Sequence, residues 1–283
     1  MIGVDIGGTN LLVGRIESGK VVERLHQPIT ARGDFELVVK QTCNAIRVLD
    51  EANVEPVCIS VAGSVDATRG IVLFAQNLNW NDAPLANAVS SELGCKVFIE
   101  NDVTAAAWGE FKFGAGRGVD SLFAVWIGTG IGGGLILNKQ IWRGPLGTGG
   151  EFGMGISEQN PNAEHRVLES YSSRSGFQHL LQNPSVDTEM LVSLYGKDDA
   201  VTEIVQSGAK RIGTSIANVI TLLSLERVVL GGGLIEVLGD SFVEAIRNQF
   251  ESDVFPPHCK QCQFKTTALG PDAGLLGVTA LGN

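Results

Sequence analysis

Ile2-Gly-Val-Asp-Ile-Gly-Gly-Thr-Asn10, followed by Leu11, Leu12 and Val13, and Leu122-Phe-Ala-Val-Trp-Ile-Gly-Thr-Gly-Ile-Gly-Gly-Gly134, followed by Leu135, Ile136 and Leu137, are the stretches that decide the fold. Each reads as an apolar strand, a Gly/Thr turn and a second apolar strand, which is a β-hairpin. Glycine lets the backbone turn with positive φ and leaves no Cβ in front of a ligand. Threonine adds a hydroxyl beside exposed N–H groups, and a nest of such donors suits phosphate oxygens. Two nests in two halves of one chain predict a nucleotide held across a cleft between similar lobes.

Working outward from the first hairpin, Lys20–Leu25 reads as a third strand and residues 34–53 as a helix with apolar residues at helical spacing. Val57–Ala62 is a buried strand of the parallel type, Leu85–Leu93 a short helix stopping before Gly94, Lys96–Glu100 another buried strand, and Val103–Glu110 a helix. This order predicts a mixed sheet with helices on its faces. The second hairpin opens a second half. A loop-rich stretch from Gly144 to Asn162 follows it. Helices are then expected over Arg166–Leu181, Thr188–Leu194, Asp199–Gln206 and Lys210–Leu223. Arg227–Leu230 is a strand running into Gly231-Gly-Gly233, Ser241–Phe250 a helix, Gln263–Leu269 a strand and Ala273–Leu281 a last helix. The lobe boundary falls near Gly114–Gly118.

The chain has 283 residues, enough for two domains, and 44% are hydrophobic, enough for sizeable cores. Its 36 glycines are roughly twice the usual share and sit in short runs, which implies tight turns and close backbone approaches rather than disorder. Net charge is −10 without a Lys/Arg cluster, which argues against nucleic acid as a partner. ATP remains compatible, because magnesium and backbone donors carry much of its charge. Five scattered cysteines do not form a disulfide pattern. No signal peptide and no membrane-spanning run is visible, so a soluble cytoplasmic protein without a membrane partner is expected.

In chain order, Asp5-Ile-Gly-Gly-Thr-Asn10, Ala62-Gly63, Asn77-Leu-Asn-Trp80, Glu100-Asn-Asp-Val-Thr-Ala-Ala-Ala107, Gly128-Thr-Gly-Ile-Gly-Gly-Gly134, Gly150-Glu-Phe-Gly153 and Leu230-Gly-Gly-Gly233 resemble the motifs of the ROK sugar kinases, within the hexokinase–actin superfamily. The resemblance covers essentially the whole chain. It implies an α/β fold of the two-lobe actin-like ATPase (ribonuclease H-like) type. Lobes would span residues 1–117, with a C-terminal helix over 271–283 packing back, and 118–270. It also implies ATP and Mg²⁺, a sugar acceptor and a homodimer. A hinge would close the lobes on the sugar and exclude water.

Phosphoryl transfer to a hydroxyl needs donors and a cation for the phosphates and a base for the hydroxyl. Asp102 follows a buried strand and opens a helix, which places it at the sheet edge where ligands bind. It is the expected general base, although on residues alone it reads equally as a helix N-cap. By resemblance Asn77, Asn101, Asp102, Glu151 and Glu169 contact the sugar. On their own, Asn101 is also a turn residue and Glu169 a surface charge. Asp5 would organise Mg²⁺, directly or through water, where the plainer reading is a turn-stabilising side chain. Gly7, Gly8, Thr9, Asn10, Gly128, Thr129 and Gly130 would cradle phosphates, and Gly231, Gly232 and Gly233 would approach adenosine.

Many members of the family place His and then a zinc-binding cysteine cluster after the Gly-Glu-x-Gly motif. Here Met154 stands at the His position, and Gly153–Asn162 contains no Cys, so no zinc is expected there. His258, Cys259 and Cys262 have metal-like spacing but no second cluster, and His165 and His179 read as surface residues. The leading expectation is an ATP-dependent hexose kinase acting on O6 of glucose. Fructose, mannose, N-acetylglucosamine and N-acetylmannosamine are rival acceptors, and polyphosphate is a rival donor. A sugar-responsive repressor would need an N-terminal DNA-binding domain, for which the early start of the first loop leaves no room. A silent sugar-binding protein stays open through Met154.

Overall fold

In the computed structural model, which describes residues 1–50 and 56–282, the chain folds as two halves that repeat one plan. The first half opens with β1 (Ile2–Ile6), β2 (Asn10–Glu17) and β3 (Lys20–Pro28), an antiparallel meander. Helix α1 (Phe35–Leu49) starts at Asp34, whose carboxylate accepts from the Leu37 N–H, and buries Val38, Val39, Cys43 and Ile46. The expectation over 51–53 lies outside the described residues. Strand β4 (Val57–Val61) is buried along its whole length and lies parallel to β1. Burial on both faces is why it reads as an unbroken apolar run.

Residues 63–84 carry no clear period, yet they form a small sheet of β5 (Ser64–Asp66), β6 (Ile71–Ala75) and β7 (Trp80–Ala83). An exposed Phe74 and the left-handed backbone at Asn79 and Asp82 hide its alternation. Helix α2 (Leu85–Leu93) ends at Gly94, β8 (Val97–Asn101) runs parallel to β4, and α3 (Asp102–Phe113) follows at once.

The second half repeats the meander in β9 (Leu122–Ile127), β10 (Ile131–Leu137) and β11 (Gln140–Ile141). Its helices differ from expectation. The helix expected over 166–181 is two short ones, α4 (Glu169–Ser172) and α5 (Arg174–Leu180). Ser173 breaks the path with an extended backbone, and its hydroxyl accepts from the Gly176 N–H to start the second helix. Val167 pairs instead with Ile156. After α6 (Thr188–Leu194), the two helices expected over 199–223 are one, α7 (Asp199–Leu223). Gly208 does not interrupt it, because that position is buried against the Phe177 ring. A glycine costs a helix only about 1 kcal/mol, which such packing offsets.

Strand β12 (Arg227–Gly231) lies parallel to β9. Helix α8 (Gly233–Asp253) starts well before the expected Ser241 but is kinked at Gly239, where φ is +66°. Strand β13 (Gln263–Thr266) is shorter than expected, and α9 (Ala273–Thr279) closes the chain. The two five-stranded sheets therefore run β3-β2-β1-β4-β8 and β11-β10-β9-β12-β13, with the same order of antiparallel and parallel pairings.

Helices α3 and α9 cross between the halves. A Cβ on Gly277 would lie 1.7 Å from the Ala105 carbonyl oxygen, so only glycine allows the two backbones to touch. The fully buried Glu110 of α3 accepts from the N–H groups of Ala115, Ala268 and Leu269 and from the Thr267 hydroxyl. It thus ties together both segments that pass from one half to the other. Arg24 of β3 reaches Asp272 at 2.6 Å.

Candidate functional site

A cleft of about 680 Å³ opens where β4 and β8 of one half face the β9–β10 turn and β12 of the other. It is lined by Gly7, Gly8, Asn77, Asn101, Asp102, Gly128, Thr129, Gly130, Glu151, Glu169, Gly232 and Gly233 from among the expected residues. Asp5, Thr9, Asn10 and Gly231 do not line it. Thr9 and Asn10 are exposed at the tip of the β1–β2 turn, where the Asn10 amide donates to the Thr9 hydroxyl. Asp5 lies beneath the surface and Gly231 is buried in β12.

The floor is set by the junction of β8 and α3. The helix cap is Asn101 rather than Asp102: its side-chain oxygen accepts from the Thr104 N–H at 2.8 Å. Its amide donates to the Gly63 carbonyl at 3.1 Å and to Asp102 Oδ1 at 2.9 Å, and the Val103 N–H donates to the same Oδ1 at 2.9 Å. Asp102 Oδ2 has no protein partner among the described residues. Burial, then the negative charge of Asp5, raise the Asp102 carboxyl from 3.8 to about 7 against the pull of the Val103 N–H. Asp5 is itself raised by burial and partly relieved by the Ser60 hydroxyl, which donates to Oδ1 at 2.7 Å.

Beside this floor Glu151 accepts from the Ser64 hydroxyl at 2.8 Å, a bond from one half to the other. Glu100, 1% exposed, accepts from the Arg143 Nε at 2.7 Å and from its Nη2, and its other oxygen accepts from the Asn101 N–H. Burial raises its pKa and the Arg143 charge opposes that. Sequence reasoning gave Ser64 and Arg143 no role. Only Glu100 carried a signal, as a charge ending an otherwise apolar strand. Met154 stands 48% exposed at the cleft mouth.

On the opposite wall Glu169 accepts from the Ile131 N–H at 2.7 Å through Oε2. This carboxylate therefore braces the glycine turn, and it is not a loose surface charge. Thr129 Oγ1 accepts from Arg174 Nη2 at 2.7 Å, while the Arg174 N–H donates to the Gly128 carbonyl and the Ser175 N–H to that of Thr129. Nothing in the sequence pattern pointed to Arg174, which sits where one helix breaks and another begins. Gly231 underlies the cleft: a Cβ there would lie 2.6 Å from the Trp126 ring.

Of the remaining candidates, Cys259 and Cys262 are partly buried against the core of the second half. Burial pushes the Cys262 thiol up to about 12. His165 and His179 are exposed, as expected, and converge on Glu164 at 3.7 and 3.9 Å. No described helix is long and apolar enough to cross a membrane.

The whole arrangement sets acidic acceptors against turns rich in N–H donors. Asp5 and Asp102 supply hard oxygen ligands near the phosphate turns, a donor set that fits Mg²⁺. The sequence model of the ROK family matches residues 1–283. A glucokinase of Thermotoga maritima is 29% identical over 99% of this chain and 96% of its own. The crystal structure of a ROK family glucokinase from Streptomyces griseus with glucose and AMPPNP is 28% identical, covers 99% of this chain and 98% of that one, and superimposes with a TM-score of 0.87. A ROK family transcriptional regulator, a homologue of the E. coli MLC protein, reaches the same TM-score at 20% identity over 76% of its chain, a likeness of fold alone.

Proposed function

The chain belongs to the ROK family, and from that premise we propose that it is an ATP-dependent sugar kinase whose acceptor is O6 of glucose. The observation that carries this reading is Asp102. It holds one carboxylate oxygen without a protein partner, at the floor of a cleft between two glycine turns, with a pKa of about 7. A base with a pKa near the working pH combines availability with driving force for proton transfer. The glucokinase relatives and the glucose–AMPPNP complex support the substrate pair. A retained base favours catalysis over sugar sensing.

In this reading Asp102 Oδ2 accepts the proton of the attacking hydroxyl. Asn101 holds Oδ1 in place from below, so the free oxygen keeps its direction. Glu151, Asn77 and Glu169 orient the remaining hydroxyls from the sides, with Ser64 fixing Glu151. The turns at Gly7-Gly8 and Gly128–Gly130 direct N–H groups and the Thr129 hydroxyl at the phosphate chain, and Gly231–Gly233 with Trp126 form the adenosine side. Bound Mg²⁺ would neutralise phosphate charge, held from the Asp5 side. Lobes over 1–117 and 118–270, a homodimer and a cytoplasmic setting belong to the same proposal.

The test is nucleotide-diphosphate release with Mg-ATP across hexoses and N-acetylhexosamines, with D102N in parallel. Activity on glucose that collapses in the variant is the expected result. Turnover of a different sugar would reassign the acceptor. Folded protein that binds sugar but turns over none, with ATP or polyphosphate, would overturn the kinase reading.

A further inference from the structure

From the charge balance of the cleft we infer that Arg174 binds the terminal phosphates of the nucleotide and sets the direction of the Thr129 hydroxyl. This rests on the kinase reading and deepens it. The cleft is acidic: Glu100, Asp102, Glu151 and Glu169 line it, with Asp5 just beneath. Arg143 is the basic side chain among its described lining residues, and the buried Glu100 already holds it through two nitrogens. A phosphate chain entering this cleft therefore needs positive charge that its lining does not supply.

Arg174 stands at the one place where that charge is useful. Its Nη2 donates to Thr129 Oγ1 at 2.7 Å, and its own N–H donates to the Gly128 carbonyl at 2.9 Å, so the side chain is anchored to the second glycine turn at both ends. Among the described residues its guanidinium bonds no carboxylate. An arginine carries five N–H donors in a rigid fork, and one of these is used here. The others remain for phosphate oxygens, which such forks match in geometry. The bond also has a consequence for Thr129. Its oxygen accepts from Arg174, so its single proton is left to donate, and Thr129 lines the cleft. Arg174 thus supplies charge directly and fixes a neutral donor beside it. AMP, which lacks the terminal phosphates, would not gain from either contribution.

The experiment compares wild type, R174Q and R174K by calorimetry with ADP and with AMP, and by steady-state kinetics with Mg-ATP and the acceptor. Urea midpoints confirm that each variant is folded. Glutamine keeps a donor for Thr129 and removes the charge; lysine keeps the charge and removes the fork. The expected result is a loss of ADP affinity of roughly tenfold or more in R174Q, with AMP affinity changed by less than about twofold. The KM for Mg-ATP rises in parallel, the acceptor KM holds, and R174K recovers part of the loss. Equal losses for ADP and AMP would reduce Arg174 to a support of the loop, and no loss for either would remove it from the site; both overturn the inference while leaving the kinase reading intact. Wild type that binds ADP but phosphorylates no sugar would sink the kinase reading alone, with Arg174 judged on the ratio of ADP to AMP. Wild type that binds no nucleotide would overturn both.

Discussion

Position by position, the two halves place opposite chemistry on the same scaffold. Asp5 of β1 and Trp126 of β9 each stand two residues before the first glycine of their turn, and each pairs with the matching residue of the parallel neighbour: Asp5 with Ser60, Trp126 with Gly231. In the first half a carboxylate meets a hydroxyl. In the second an indole lies over a glycine whose missing Cβ leaves room for the ring. The outer parallel strands diverge likewise. β8 runs into Asn101 and Asp102 at the cleft, whereas β13 runs into Thr267, which turns away to Glu110. Duplication thus supplies the frame, and a few positions at the strand ends divide the labour between an acid half and a nucleotide half.

The largest effect is expected from breaking the acid half. D102N should lower kcat by roughly 10² to 10⁴-fold while leaving nucleotide affinity near wild type, as removal of a general base does. Because Asn keeps an oxygen for Asn101 and Val103, the fold should survive. Stability should in fact improve, with a defined sign. The folded pKa of Asp102 is raised from 3.8 to about 7, so the folded state holds a proton more tightly than the unfolded chain between those values. Ionisation therefore costs stability progressively as pH rises from about 4 to 7. The Tm gain of D102N should be absent near pH 4 and full at pH 8, and a scan across that window checks it. For the wild type, kcat/KM should fall tenfold per pH unit below about 7. A profile flat down to pH 5 would remove Asp102 as the base.

Breaking the nucleotide half should cost less. In G231A the new Cβ would press on a rigid ring 2.6 Å away, and Trp126 has to shift. Such overpacking costs about 1–3 kcal/mol. If the displaced ring belongs to the nucleotide side, the KM for Mg-ATP should rise about tenfold, matching the lower end of that range. Sugar affinity, measured by calorimetry, should stay unchanged. Equal losses for both ligands would mean that the halves do not divide the labour.

How much of this was legible in the sequence follows the same division. The strands of the sheets were readable because burial on both faces leaves unbroken apolar runs such as Val57–Val61, and the turns because glycine clusters mark them. Asp102 was visible because a carboxylate at the end of such a run is conspicuous. The small sheet over residues 64–83 escaped because its strands are short and its backbone turns left-handed at Asn79 and Asp82. Arg174, Arg143 and Ser64 escaped for a different reason. Each acts on a residue far away in the chain, Thr129, Glu100 and Glu151, and no local pattern records a partner brought near only by folding. The cap at Asn101 shows the limit even locally. Asn and Asp are both favoured at that position, and only the geometry shows that Asn101 takes the cap and frees Asp102 for the cleft.

The smallest effect sharpens the comparison at the seam. Ser64 belongs to the first half and Glu151 to the second, and their hydrogen bond crosses the cleft at 2.8 Å. Ser64 is partly exposed and Glu151 exposed, so water can replace the hydroxyl when it is removed. S64A should therefore cost at most about 1 kcal/mol, a rise in the acceptor KM of roughly three- to fivefold, with kcat and the KM for Mg-ATP unchanged. The same bond bears on closure, because it is already made without sugar. If Ser64 mainly holds the halves together, the variant should change the scattering profile of the free protein toward a more open form and lower kcat along with acceptor affinity. If it mainly orients Glu151, the profile stays put and only the acceptor KM moves. The second outcome is expected, because the buried Glu100–Arg143 pair spans the same seam with two nitrogens on one carboxylate and does not depend on Ser64.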